Sequence, residues 1–207
     1  MRTAGSVRRF RPDPVPLDLI CRVLDNARFA PSGANLQGWR VVVVTDATAR
    51  AQLGTLFRTS WYRSHAPLRT APGEPVPRWD YAEHIQDVPV HLVVLVEEAR
   101  ITTGIEALDG SRIVGGSSIY PFVQNILLGV RETGLGSALT TVLVPVQDEV
   151  KALLEIPDGF LVAAHLTVGW PAGRLSTRLD RNPVDQFATM ERFTGPPLPV
   201  PAAHSLR

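Results

Sequence analysis

The sequence has a single cysteine, Cys21, so it can form neither an internal disulfide nor a cysteine-rich metal centre. It has one lysine, Lys151, and its positive charge is otherwise carried by arginine. The net charge of +1 excludes the broad basic footprint of a nucleic-acid or anionic-membrane binder. No apolar run reaches the roughly 18 residues that a membrane-spanning helix needs, and no apolar stretch follows the basic N-terminus as a secretory signal requires. The P-loop, the HExxH helix, the GxSxG elbow and any His/Asp/Glu cluster at metal-ligand spacing are also missing. What is left is a metal-free chain of 207 residues, 44% hydrophobic, expected in the cytoplasm and long enough for a full core.

Helix-like and strand-like segments alternate along it. After the helix-stopping "RPDPVP", apolar residues at Leu17, Ile20, Val23, Leu24 and Ala27 fall at helical spacing. "RVVVVTD" and "VPVHLVVLVEE" predict strands buried on both faces, because their apolar residues do not alternate. "ATARAQLGTLF" and "WDYAEHIQD" predict helices. "SSIYPFVQNILLGVRETG" predicts the central core helix, with serines ahead of Tyr120, Pro121 in the first turn and Gly134 as the stop. "GSALTTVLV" predicts a strand, "PVQDEVKALLEI" a helix and "FLVAAHLTVGW" a strand, so the class is α/β or α+β. Residues 60–79 carry four prolines and two tryptophans without periodicity, as a lid or binding loop does. Cys21 is expected to be packed, and His91 and His165, in apolar strands, to be core histidines. His84, beside the tryptophan-rich loop, is a site candidate.

The stretch "FAPSGANLQGWRVVVV" (29–44) passes from a helix end through small and amide residues into a strand. Small residues let a ligand approach the main chain, and Ser32, Asn35 and Gln37 offer donors and acceptors suited to a flat heterocycle. A capped loop between two elements accounts for it equally well. "GLGSAL" (134–139) is not a dinucleotide fingerprint, since a helix precedes it and a strand follows. Arginines in "SVRRF" and "RLDRNPV", near the two chain ends, suit a phosphate group.

In order, "SVRRFRPDPVP", "APSGANLQGWRVVVV", "YAEHIQDVPVHLVVLV", "GGSSIYPFVQNILLGVRETGLGSALTT", "LLEIPDGFLVAAHLTVGWPAGR" and "RNPVDQF" resemble the FMN-dependent nitroreductase family over most of residues 6–193. The resemblance implies an α+β fold with a central mixed sheet flanked by helices. It implies one flavin-binding domain over residues 1–194, a Pro-rich tail over 195–207, and an intertwined homodimer with FMN at the subunit interface. Ser6 and Arg8 would then lie at the FMN phosphate, with Arg9 beside them and Arg181, before "x-Pro", closing on it. Pro31, Ser32, Gly33, Asn35 and Gln37 would line the flavin from the partner subunit, and Thr140, Thr141 and Val142 its N5 edge. NADH or NADPH would deliver hydride to N5, and a nitroaromatic, quinone or similar small acceptor would take it in ping-pong turnover, with no catalytic side chain required. Trp61, Trp79, Tyr81 and His84 would border the substrate pocket. Two alternatives stand beside this: a flavin-dependent dehydrogenase of a biosynthetic substrate, and a flavin-poor binding member of the fold. Ala4 and Gly5 stand where many relatives carry phosphate-binding arginines, and Gly38 where many carry proline.

Overall fold

The computed structural model describes residues 1–71, 73–101 and 111–199. Residues Thr3–Ser176 form one compact unit, and a second begins at Thr177. The first is built on a four-stranded sheet of β1 (Trp39–Val44), β2 (Val90–Glu97), β3 (Gly136–Thr140) and β4 (Phe160–Gly169), in the order β1-β2-β4-β3. Every pairing is antiparallel, so the mixed sheet expected from the resemblance is not what this chain forms among its described residues. The reason is the place of β4. Strands β2 and β3 run in the same direction, and β4 inserts between them, antiparallel to both.

Helices α1 (Leu17–Ala27) and α5 (Tyr120–Glu132) cover one face, joined in the order of the chain by α2 (Ala47–Ser60), α3 (Asp80–Glu83), α4 (Ser111–Gly116) and, after β3, α6 (Gln147–Leu153). Side chains alternate across a strand, so Leu92 and Val94 of β2 meet Ile20, Val23, Phe122 and Ile126 on one face. Val93 and Leu95 meet Leu53, Phe57, Trp61 and Tyr81 on the other. This is why β2 is buried from Val90 through Val96.

Strand β1 is different. It is an edge strand, with Val41 and Val42 half-buried and Val43 37% exposed, which corrects the expectation of burial on both faces. Cys21 is exposed rather than packed: the buried stripe of α1 runs through Ile20, Val23 and Ala27, and Cys21 sits one helical step off it. In α5, Pro121 lies in the first turn and Gly134 takes φ +82°, as a helix stop requires. The serines do not cap it. Ile119 holds the cap position, while Ser117 Oγ donates to the Val114 carbonyl. The 60–79 segment is more ordered than its composition suggests, since α2 runs into a π turn at Trp61–His65 and a 3-10 turn at Pro67–Arg69.

Two histidines meet inside the second face. His91 and His165 are 0% and 1% exposed, and His91 Nδ1 lies 3.0 Å from His165 Nε2. The Ile85 carbonyl, 3.0 Å from His91 Nε2, can only accept, so that nitrogen carries the proton. His91 Nδ1 therefore accepts from His165, and His165 Nδ1 is left as a buried lone pair with no partner among the described residues.

Candidate functional site

The N-terminal segment runs along β3. The Val7 N–H donates to the Ser137 carbonyl at 2.8 Å, and the approach is close enough that a Cβ on Gly136 would lie 2.8 Å from Val7 Cβ, Cγ1 and Cγ2. A glycine is required there for contact, not for its dihedral freedom. Ser6, exposed, opens into a cleft of about 180 Å³ with Ala4, Gly5, Ser137, Leu139 and Arg131 of α5. Arg8 and Arg9 face a different cleft, of about 210 Å³, with Asp80, Tyr81 and His84. Residues grouped by the resemblance at one phosphate are thus divided between two clefts.

Strand β3 ends at Thr140, whose register partner is His165. Thr141 is exposed, whereas Val142 is buried and its carbonyl accepts from the Ser60 hydroxyl. The strand stops short of the expected "TTVLV" because a 3-10 turn holding Pro145 follows at Val144–Val146.

At the opposite edge, the 31–37 loop leads into β1. Ala34, Asn35 and Gln37 have φ of 48°, 55° and 51°, a left-handed backbone that non-glycine residues adopt only when surrounding structure holds them. Four bonds hold it. The Gly33 N–H donates to Ser118 Oγ at 2.9 Å and the Gln37 N–H to Ser32 Oγ at 3.0 Å. Gln37 Nε2 donates to Asn35 Oδ1 at 3.1 Å, and Arg100 Nη1 to the Leu36 carbonyl at 2.9 Å. Gly38 accommodates that arginine, since a Cβ at this position would come 2.7 Å from Arg100 Cβ. Pro31, Gly33, Asn35 and Gln37 are nevertheless exposed, so the loop is fastened from behind with its amides outward. This loop and the Ser6 cleft lie on opposite sheet edges, three strand spacings or about 14 Å apart.

The aromatic candidates form a packed group. Trp61 and Tyr81 are buried and Trp79 half-buried, with Trp61 and Trp79 centroids 4.2 Å apart and Phe57 beneath them. The Tyr81 hydroxyl lies 2.7 Å from Thr167 Oγ1, and burial raises its pKa to about 12, so it stays a neutral phenol. Tyr62 donates to Glu83 at 2.7 Å, which holds that carboxyl below its usual range. His84 is exposed, with Nδ1 3.3 Å from Asp87. Arg181 belongs to the second unit, where it is exposed and donates to the Asp180 carbonyl. No group of three or more metal-ligating side chains occurs among the described residues, nor a helix long and apolar enough to cross a membrane.

Three residues that sequence reasoning passed over are central to this geometry: Ser118, Arg100 and Arg131. The first reads in sequence as a helix cap and the other two as ordinary surface arginines.

The model of the nitroreductase family matches residues 1–170. The 5,6-dimethylbenzimidazole synthase of Rhodospirillum rubrum is 32% identical over 173 residues, 80% of this chain and 77% of that protein. An NADH dehydrogenase of Thermus thermophilus is 30% identical over 81% of this chain and 82% of its own length. The crystal structure of oxidised iodotyrosine deiodinase bound to FMN and 3-iodo-L-tyrosine aligns with a TM-score of 0.66 at 26% identity, over 88% of this chain and 92% of that one.

Proposed function

This chain belongs to the nitroreductase family, and from that premise we propose that it is an FMN-dependent reductase drawing hydride from NADH or NADPH and passing it to a small nitroaromatic, quinone or similar acceptor. FMN, when bound, supplies the centre that accepts and releases hydride. The observation that carries the reading is the 31–37 loop: strained at three non-glycine positions, fixed from behind, and exposing Asn35 and Gln37. Backbone strain of this kind persists where surrounding structure holds it, and it clusters at ligand sites. The donors present fit the group. Amide side chains match a ring of alternating carbonyls and nitrogens, and a serine hydroxyl beside a guanidinium matches a phosphate.

The same geometry supports a homodimer. With the loop at the β1 edge and Ser6 and Thr140 at the β3 edge, one chain does not bring both to one small ring, and a partner's loop completes the site. Pairing one chain carrying Asn35→Ala and Gln37→Ala with another carrying Ser6→Asp is expected to restore FMN binding to about one site per mixed dimer. Each variant alone should retain little, and mixed dimers that bind no more than either parent would overturn the shared site.

The 32% identity to a synthase keeps a second reading in view: a flavin oxidoreductase of a biosynthetic substrate with oxygen as acceptor. The visible spectrum separates the two. Flavin bands that bleach anaerobically on adding NADPH or NADH support the reductase, whereas bands indifferent to both support the second. A colourless protein that takes up no added FMN would refute both.

A further inference from the structure

We propose that Arg131 supplies the positive charge of the cofactor-phosphate subsite, in place of the arginines that positions 4 and 5 lack. The inference rests on the FMN reading above. Arg131 stands in the last turn of α5 and shares one cleft with Ser6, Ala4 and Gly5. Arg8 and Arg9 are not among the residues that line that cleft. They face the other one, and Arg8 is close enough to Tyr81 to act on its phenol electrostatically.

The guanidinium of Arg131 is anchored at one point only. Its Nε donates to the Thr3 carbonyl at 3.0 Å and to Thr3 Oγ1 at 3.2 Å. Among the described residues no carboxylate lies within ion-pair distance of it, and neither Nη has an acceptor. Four N–H donors are therefore held on a fixed stem in a half-buried cleft beside a serine hydroxyl. The C-terminal end of a helix favours a cation, so the charge is placed where the fold itself supports it. A planar fork with paired empty donors matches the paired oxygens of a phosphate monoester better than any uncharged ligand. The small side chains at Ala4 and Gly5 leave the space that such a group needs.

Arg131→Met keeps the length of the side chain and removes the charge; Arg131→Lys keeps the charge and loses the fork. Apoprotein is titrated with FMN and with riboflavin, which lacks the phosphate, following flavin fluorescence. Arg131→Met is expected to raise the Kd for FMN about 10- to 100-fold and leave that for riboflavin unchanged, with Arg131→Lys recovering part of the loss through its charge. An FMN Kd unchanged in Arg131→Met would overturn the assignment, as would an equal loss for both flavins. Arg131→Lys as weak as Arg131→Met would overturn it too, by making the anchor to Thr3 responsible rather than the charge. A wild type that takes up riboflavin and FMN equally refutes the phosphate subsite while leaving the flavin reading intact. A wild type that takes up neither refutes the flavin reading itself.

Discussion

Lowering the pH from 6.5 to 4 is expected to remove about 3 kcal/mol of unfolding free energy through His91 alone, with His165 adding to the loss. Burial is the main cause that takes His91 down to about 4, and the nearby Arg50 pushes the same way against the Ile85 carbonyl. His165 is held well below its ordinary value by burial and then by His91. Both imidazoles are therefore neutral in the fold, while the unfolded chain takes up protons near pH 6.5. Stability is complete above that pH and declines as it falls toward 4, with a limiting slope of about 1.4 kcal/mol per pH unit for each histidine. Urea unfolding at a series of pH values measures the slope. The double variant His91→Gln, His165→Leu keeps an N–H for the Ile85 carbonyl and should unfold with a much shallower pH dependence. A wild-type profile as flat as the variant's would show that the pair does not stay neutral.

Gly136→Ala should act on stability and cofactor together. Its Cβ would fall 2.8 Å from three atoms of Val7, so the N-terminal segment must move off β3 and its bond to the Ser137 carbonyl must stretch. Overpacking of this kind costs about 1–3 kcal/mol. The displaced segment carries Ser6, so FMN affinity should drop as well. Adding Val7→Ala removes two of the three atoms that the new methyl meets and leaves Cβ, so the pair should recover part of both losses. Thermal melts and flavin titration of the single and double variants check this; no recovery would mean that the segment is held by something other than its fit to Gly136.

The reading of the sequence reached furthest where one physical signal decided the structure. Helical spacing in α1 and the proline and glycine bounds of α5 were enough, and β2 is buried on both faces as its non-alternating apolar residues predict. A run of four valines does not say whether the strand is central or at an edge, because that depends on where later strands pair. Pairing direction was hidden for the same reason: β4 separates two strands that run alike. His91 and His165 were legible as core residues, but 74 positions apart they gave no sign of each other.

At the candidate site, the amides of residues 32–37 were visible as chemistry. The strain at Ala34, Asn35 and Gln37 was not, since none of them is a residue that demands a positive φ. Serine before a helix usually caps it, whereas the Ser118 hydroxyl accepts from the Gly33 N–H, 85 positions away. Trp61 and Tyr81 suggested a pocket by composition, and their burial against Phe57 follows from α2 continuing to Ser60 and turning inward. Arg131 was unreadable for the opposite reason. An arginine in the last turn of an amphipathic helix looks ordinary until the segment that crosses in front of it is known.

The insertion of β4 also sets the order in which the molecule can be made. It is the last described strand to leave the ribosome, yet β3 depends on it for any pairing and β2 for its second neighbour. Until residue 160 is available, β1 and β2 are a lone pair, which is marginal in water, and β3 has no strand beside it. The growing chain therefore carries its valine-rich segments unburied through most of its synthesis. Contacts this distant in sequence form slowly, and exposed apolar strands associate in the meantime. Slower synthesis at low temperature and added chaperone are therefore expected to raise the yield of folded protein.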